Sequence, residues 1–335
     1  MAPFHKAIEL QPTSQNSGEN ERVYQGLIDP EWVVVKIPHG GYILALLVDA
    51  VINFQSTTPH KDPIHVTAHF LRPSAVGNFE IRVRVLKSGK GFTNLTAELF
   101  QKNTLKVTTH MIFAHNGPVP GDKANLTLQS PSAYARRVPL YLHPSTAPRA
   151  GGQERWNFQP HIEWTREPDI EAKNKPNHPN RTDRSSIGGE GVEWGSWFGF
   201  SDKEEKITST SIAFLVDIFS NLPSLLPRSE RKGLVNSWFP TVTLSIEFKA
   251  PIPPPSEYHA SRTVGVYSNG KFMHHPQGRH DAYVEIWTAP TNIGEGEPLD
   301  GWRDKQVCLA ISTQMALAIP FDEASKRADR ETARL

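Results

Sequence analysis

The segment ALLVDAVIN at residues 45–53 returns later in the chain as AFLVDIFSN at residues 213–221. Ala, Leu, Val, Asp and Asn recur at identical offsets, so Asp49 and Asp217 each interrupt an otherwise apolar, helix-like run. Two further anchors follow in the same order. Phe70-Leu71-Arg72-Pro73 matches Phe248-Lys249-Ala250-Pro251, and Thr109-His110-Met111 matches Thr313-Gln314-Met315. Three short matches in one order are the mark of a duplicated unit.

Each copy has the same plan. After the first helix, Phe79, Ile81, Val83 and Val85 alternate with polar residues, as do Leu95, Ala97 and Leu99, the period of half-buried strands. Gly89-Lys90-Gly91 marks a turn between them, and residues 107–114 read as a last strand. Before the helix, FHKAIEL and ERVYQGLIDPEWVVVKI read as strand segments. In the second copy QERWNFQPHIEWT and GVEWGSWFGFSD read as extended. After its helix, TVTLSIEFKAP places Val242, Leu244, Ile246 and Phe248 on one face, and three more strand-like segments follow. The expected division is an N-terminal unit at 1–116, a Pro-, Gly- and Ser-rich linker at 117–150, a C-terminal unit at 151–320 and a charged tail at 321–335. Residues 167–188 read as a polar, mobile excursion and 290–304 as an insertion between strands.

Several function classes find no support. The 335 residues carry a formal net charge of +1, which gives no electrostatic reason for a nucleic-acid partner. The single cysteine, Cys308, allows no disulfide framework and no cysteine-based zinc site. No run is apolar enough for a signal peptide or membrane span, so the sequons at Asn94, Asn125 and Asn180 are expected to carry nothing. There is no GxSxG and no HExxH. His39 is open to two readings, a ligand-side residue or an inert loop histidine, and His274, His275 and His280 read as solvated turn residues. No metal or cofactor is expected.

HGGYILALLVDA, AFLVD, and TVTLSIEFKAP followed by STQMALA together resemble the bacterial and peroxisomal type II acyl-CoA thioesterases and their fungal relatives. That resemblance implies an α+β double hotdog, two tandem curved antiparallel sheets each wrapped around one long central helix. It implies an acyl-CoA substrate and a catalytic Asp217, Thr241 and Gln314, all in the second unit. The residue types suit thioester hydrolysis. A buried carboxylate can orient a water and take its proton, and a hydroxyl and an amide can hold that water without competing for the proton. Taken alone, Asp217 fits equally a buried group tying helix to sheet. Gly40, Gly41 and Tyr42, where the apolar helix begins, are the expected oxyanion or substrate-binding residues, offering first-turn N–H groups to a thioester oxygen.

The copies are not equivalent in sequence. Thr241, seven residues before Phe248, corresponds to Pro63, seven before Phe70, and Gln314 aligns with His110. Asp49 is therefore expected to be structural, paired with His110, leaving one working site. Another hotdog enzyme, a dehydratase or hydratase, and a non-catalytic acyl-binding or tailoring protein of a specialised pathway are the alternative readings. A homo-oligomer through the hotdog sheets is possible in such a fold. The terminal Ala333-Arg334-Leu335 is a variant of the Ser-Lys-Leu peroxisomal address, so a peroxisomal location is expected, with the cytoplasm as alternative.

Overall fold

A computed structural model describes residues 2–13, 18–117, 128–151, 156–231, 237–274 and 277–320. Two-residue strands are not numbered. In the first unit a one-turn helix α1 (Phe4–Ala7) and strand β1 (Glu21–Ile28) precede the long helix α2 (Gly40–Gln55). Strands β2 (Asp62–Phe70), β3 (Gly77–Ser88), β4 (Thr93–Gln101) and β5 (Thr104–Ala114) follow it. In the second unit β6 (Ile162–Trp164), α3 (Pro168–Lys173) and β7 (Val192–Phe200) come before two short helices, α4 (Ser209–Leu215) and α5 (Leu222–Leu225). Then come β8 (Thr241–Phe248), β9 (Thr263–Gly270), β10 (Arg279–Thr288) and β11 (Cys308–Ala316).

The strands form one continuous sheet in the order β1-β3-β4-β5-β2-β8-β11-β10-β9-β7-β6. Apart from β6, that order reads the same from either end when each strand is replaced by its repeat partner, as a duplication about a two-fold axis requires. The centre is the β2–β8 pair, antiparallel, with His69 opposite Thr243 and His65 opposite Glu247. In an isolated unit β2 or β8 would be an open edge. Pairing them satisfies both edges at once. Both units are thus hotdogs, and the protein is a double hotdog.

α2 is buried nearly all round, from Gly41 through Val48 and again at Ala50 and Val51, which explains why its sequence shows no polar face. α2 and α4 lie against each other beneath the sheet, and a single apolar core runs through both units. Phe4 of α1 stacks 5.5 Å from Phe200 and 5.3 Å from Phe214, so the N-terminal turn is packed into the second unit. FHKAIEL is therefore helical at Phe4–Ala7 rather than a strand.

Two other expectations change. The second unit lacks one long helix, since α4 ends at Leu215. Val216 and Ile218 are β-branched, and Asn221-Leu222-Pro223 starts a new turn with Pro inside it. Pro disfavours a helical residue before it and removes a helix N–H. Parts of the supposed linker and excursion, residues 138–147 and α3, are also packed into the protein. Val138, Leu140 and Ala147 pack with Ile170 of α3, Trp197, Trp287, Ile293 and Trp302 in a second core. This core lies on the sheet face opposite Phe198 and Ile286, since neighbouring strand residues point to opposite sides. The buried Glu167 accepts hydrogen bonds from the Tyr141 and Leu142 amides at 3.1 and 3.3 Å. The apolar contacts here are single residues spaced by polar ones, a pattern without the periodicity that reveals an element.

Candidate active site

Asp217 is the second residue after α4, in the turn that closes it, and its N–H bonds back to Phe214 O at 3.1 Å. That turn carries the carboxylate onto the start of α2. The Gly41 N–H donates to Asp217 Oδ2 at 2.7 Å. The glycines are there for clearance. A Cβ on Gly40 would lie 2.8 Å from Asp217 Oδ2, and one on Gly41 would lie 2.7 Å from both Asp217 Cβ and Phe214 O. The His39 side chain makes no cap bond to α2, so the Asp217 carboxylate from the other unit takes that place at the positive end of the helix dipole.

Thr241, at the head of β8, donates from Oγ1 to Asp217 Oδ1 at 3.1 Å. Gln314, inward-facing on β11 and buried, anchors its Nε2 on Val216 O at 2.7 Å. Its Oε1 then faces Thr241 Oγ1 at 3.5 Å. Asp217, Thr241 and Gln314 are thus brought together, with Gln314 behind Thr241 and also pinning the turn that carries Asp217.

Burial pushes the Asp217 carboxyl up to about 7, against the lowering effect of the Gly41 N–H and Thr241 hydroxyl. His39, the residue before α2, completes the site. Its Nδ1 is 3.8 Å from Asp217 Oδ2, too long for a hydrogen bond, and it has no partner among the described residues. The ring is held edge-on against Phe158 and Phe214 at 5.5 and 5.3 Å. Burial lowers its pKa to about 4, so it is neutral at pH 7. Of the two readings of His39, the structure favours the ligand-side one, since the residue lines the cavity. The available signal was its place directly before the paired glycines.

Asp217, Thr241, His39 and Gly40 open onto a cavity of about 1000 Å³. Apolar and aromatic walls come from Phe70, Trp156, Trp194, Phe219, Trp238 and Phe239, and the exposed Arg72 and Arg166 stand at its margin. Two of the expected binding residues are placed otherwise. Tyr42 faces the core, its hydroxyl donating to Ala7 O at 2.8 Å and accepting from the Asp29 N–H at 3.1 Å. A helix residue two positions past the start turns away from the face that Gly40 shows to the cavity. The Gly41 N–H is occupied by Asp217. Of the three, Gly40 is the one that lines the cavity.

The related half of the molecule repeats the geometry without its chemistry. Asp49 lies against the start of α4, where Thr210 Oγ1 donates to Oδ1 at 3.0 Å and Asn53 Nδ2 to Oδ2 at 2.8 Å. Burial raises its pKa. Here the helix start is closed by its own capping box, Thr208 with Ser211. Asp49 does not pair with His110, which points outward from β5. Strand pairing shows why. Gln314 faces Leu244, four before Phe248, and Met111 faces Val66, four before Phe70. The counterpart of Gln314 is therefore Met111, one residue from the sequence match, and one residue along a strand changes the face. Pro63 holds the Thr241 position, opposite Phe113 as Thr241 is opposite Ala316. Asp49 does line an open groove of about 1020 Å³, with polar walls.

Comparison with known proteins agrees with this architecture. The family description "Acyl-CoA thioesterase N-terminal domain" matches residues 28–114, and "Acyl-CoA thioesterase C-terminal domain" matches residues 141–292. Among solved structures, a protein classed as thioesterase II from Thermobifida fusca is 21% identical, with TM-score 0.64 over 95% of this chain and 99% of that one. A hotdog-fold protein of Alicyclobacillus acidocaldarius is 15% identical, with TM-score 0.63 over 94% and 97%. The acyl-CoA thioesterase II TesB2 of Mycobacterium marinum is 12% identical, with TM-score 0.58 over 94% and 97%. A protein of the ustilagic acid biosynthesis cluster of Mycosarcoma maydis, orf2, is 35% identical over 86 residues. That match spans 25% of this chain and 22% of the relative.

Fold and site together define a double-hotdog protein in which the Asp217 carboxylate of one unit meets the start of α2 in the other. The chain belongs to the acyl-CoA thioesterase family, with both of that family's domains in order.

Proposed function

We propose that the protein hydrolyses acyl-CoA thioesters, with Asp217 as general base. The observation that carries this reading is a buried carboxylate with a pKa near 7 set against the start of α2, in the wall of a large cavity with aromatic sides. A base with that pKa is half ionised at neutral pH and strong enough to take a proton from an attacking water. Thr241 fixes one carboxylate oxygen and the Gly41 N–H the other, so the group is oriented before substrate arrives. Gln314 Oε1 and Thr241 define the side from which a water would be held. The thioester oxygen, drawn to the Gly40 end of α2, would meet N–H dipoles as negative charge develops on it. Arg72 at the margin suits the phosphates of CoA, and the aromatic walls suit an acyl group.

His39 supports a second reading. A neutral imidazole beside a carboxylate can also remove and return protons during hydration of an unsaturated thioester. Thiol release from a panel of saturated and unsaturated acyl-CoAs separates the two. Hydrolysis frees CoA thiol from both kinds. Hydration consumes the conjugated enoyl absorbance and frees no thiol, and that result would replace the first reading with the second.

A further inference from the structure

The proposed chemistry leaves one buried titratable group beside the cavity unused. His280, on β10, is 2% exposed. Its Nδ1 lies 2.8 Å from Gly278 O, and its Nε2 lies 3.4 Å from Asn221 Oδ1. Phe239 packs edge-on to the ring at 5.8 Å. A carbonyl can only accept, so Nδ1 carries the proton. Burial holds the ring neutral, which makes Nε2 an acceptor. An acceptor facing Asn221 needs the amide Nδ2, and a half-turn of the Asn221 side chain supplies it, since its two ends have the same shape. Oδ1 is then turned the other way. Asn221 lines the cavity, between Phe219 and Ser224 and near Leu225, Phe239 and Leu317. Among the described residues its side chain bonds to nothing but His280.

We infer that Asn221, oriented by His280, is a specificity-determining residue whose Oδ1 accepts a hydrogen bond from a hydroxyl on the acyl group of the substrate. The inference rests on the reading that acyl-CoA occupies this cavity. The wall around Asn221 is largely apolar, which suits an acyl chain. An acceptor in such a wall favours a chain with a donor on it, because an unsubstituted chain would strip water from the amide and return nothing. The neighbouring Ser220, half-buried in the same wall, adds a second polar contact. The pantetheine arm of CoA carries amide N–H and hydroxyl donors of the same kind, and the experiment separates that source.

The test measures binding and turnover of matched pairs of CoA thioesters: unsubstituted acyl chains, and chains of the same length hydroxylated at successive positions. Binding is measured by calorimetry on the Asp217→Asn protein, which keeps the thioesters intact, and turnover on the Asp217 protein. At one hydroxyl position the hydroxyacyl thioester should bind about tenfold more tightly than its unsubstituted partner, the worth of one net hydrogen bond. Asn221→Leu should abolish that preference by weakening the hydroxyacyl member alone. His280→Phe, with Asn221 intact, should also reduce it, because the amide is then free to turn. Equal affinity of both members at every position would overturn the inference. So would an equal loss from Asn221→Leu on both, which would assign the donor to pantetheine. The preference surviving in binding while no thiol is released would overturn the hydrolase reading and leave this one standing. Absence of binding by every thioester would overturn both.

Discussion

Asp217 and Asp49 occupy corresponding positions, and the difference between them lies in their neighbours. Thr241 and Gln314 gather behind Asp217, whereas Pro63 and Met111 stand at the related positions and supply no polar side chain. Asp217→Asn is expected to lower kcat for thiol release by about 10²–10⁴, the range for a positioned general base. Asp49→Asn is expected to change it little and to act on thermal stability instead, through the Thr210 and Asn53 bonds. Equal losses of turnover from the two would mean two working sites. The raised Asp217 pKa also has a sign for stability. The folded form binds this proton more tightly than the unfolded chain does, so stability falls as pH rises from about 4 to 7 and is flat above. Activity runs the other way, rising with pH as the carboxylate ionises near 7. At pH 8 Asp217→Asn should therefore raise the melting temperature, by a stability increment on the order of a few kcal/mol, while removing the pH-rate limb. A melting temperature unchanged or lowered at pH 8 would show that the carboxylate is not under this burden. Asp217 was legible in the sequence because the repeat marks it, whereas Thr241 and Gln314 were picked out through the family resemblance. His39 was not, since nothing in a chain order says that the ring folds back across the helix start to meet a residue from the other unit.

At the scale of elements, the most informative difference is the length of the two central helices. α2 runs 16 residues and α4 only 7, although their sequences match at five positions. Apolar pattern alone predicts the same element for both, whereas the second helix ends at Leu215 and Pro223 lies inside a separate short turn. Early termination frees Phe219, Ser220, Asn221, Ser224 and Leu225 to line the cavity and moves Asp217 from a helix face to a turn. The strands were legible from period-2 alternation, but the sequence match sets the last one a residue out of register because Thr and Met recur close together there. The contact between α2 and the α4 turn makes a direct prediction. Gly41→Ala places a methyl 2.7 Å from Phe214 O, a backbone atom of a packed helix that cannot swing aside. Overpacking of that kind costs about 1–3 kcal/mol, so a lower melting temperature is expected, together with lost turnover as Asp217 is pushed from the helix start. Gly41→Ala melting and turning over normally would show that the two helices separate freely, and would remove the close approach from the account of the site.

At the scale of the whole molecule, two expectations differ in kind. Location depends on the terminal Ala333-Arg334-Leu335, which lies outside the described residues. It remains a proposal that this tripeptide directs the protein to peroxisomes, checked by whether a fluorescent fusion changes compartment when those three residues are deleted. Assembly depends on the fold itself. The structure ties the two repeated units together. β2 and β8 complete each other's hydrogen bonding, Phe4 is packed against Phe200 and Phe214, and the carboxylate of each central helix is held by the start of the other. A fragment of residues 1–117 would expose the β2 edge and the apolar side of α2 together, a combination that favours association with other chains. Produced separately, fragments 1–117 and 128–335 should each aggregate or melt without a cooperative transition. Mixed on refolding, they should give a single species in size exclusion and one thermal transition, with thiol-releasing activity partly restored. A 1–117 fragment that is monomeric and melts cooperatively alone would show that the units are separable, and the site would then be a contact between two finished domains rather than a product of one shared core.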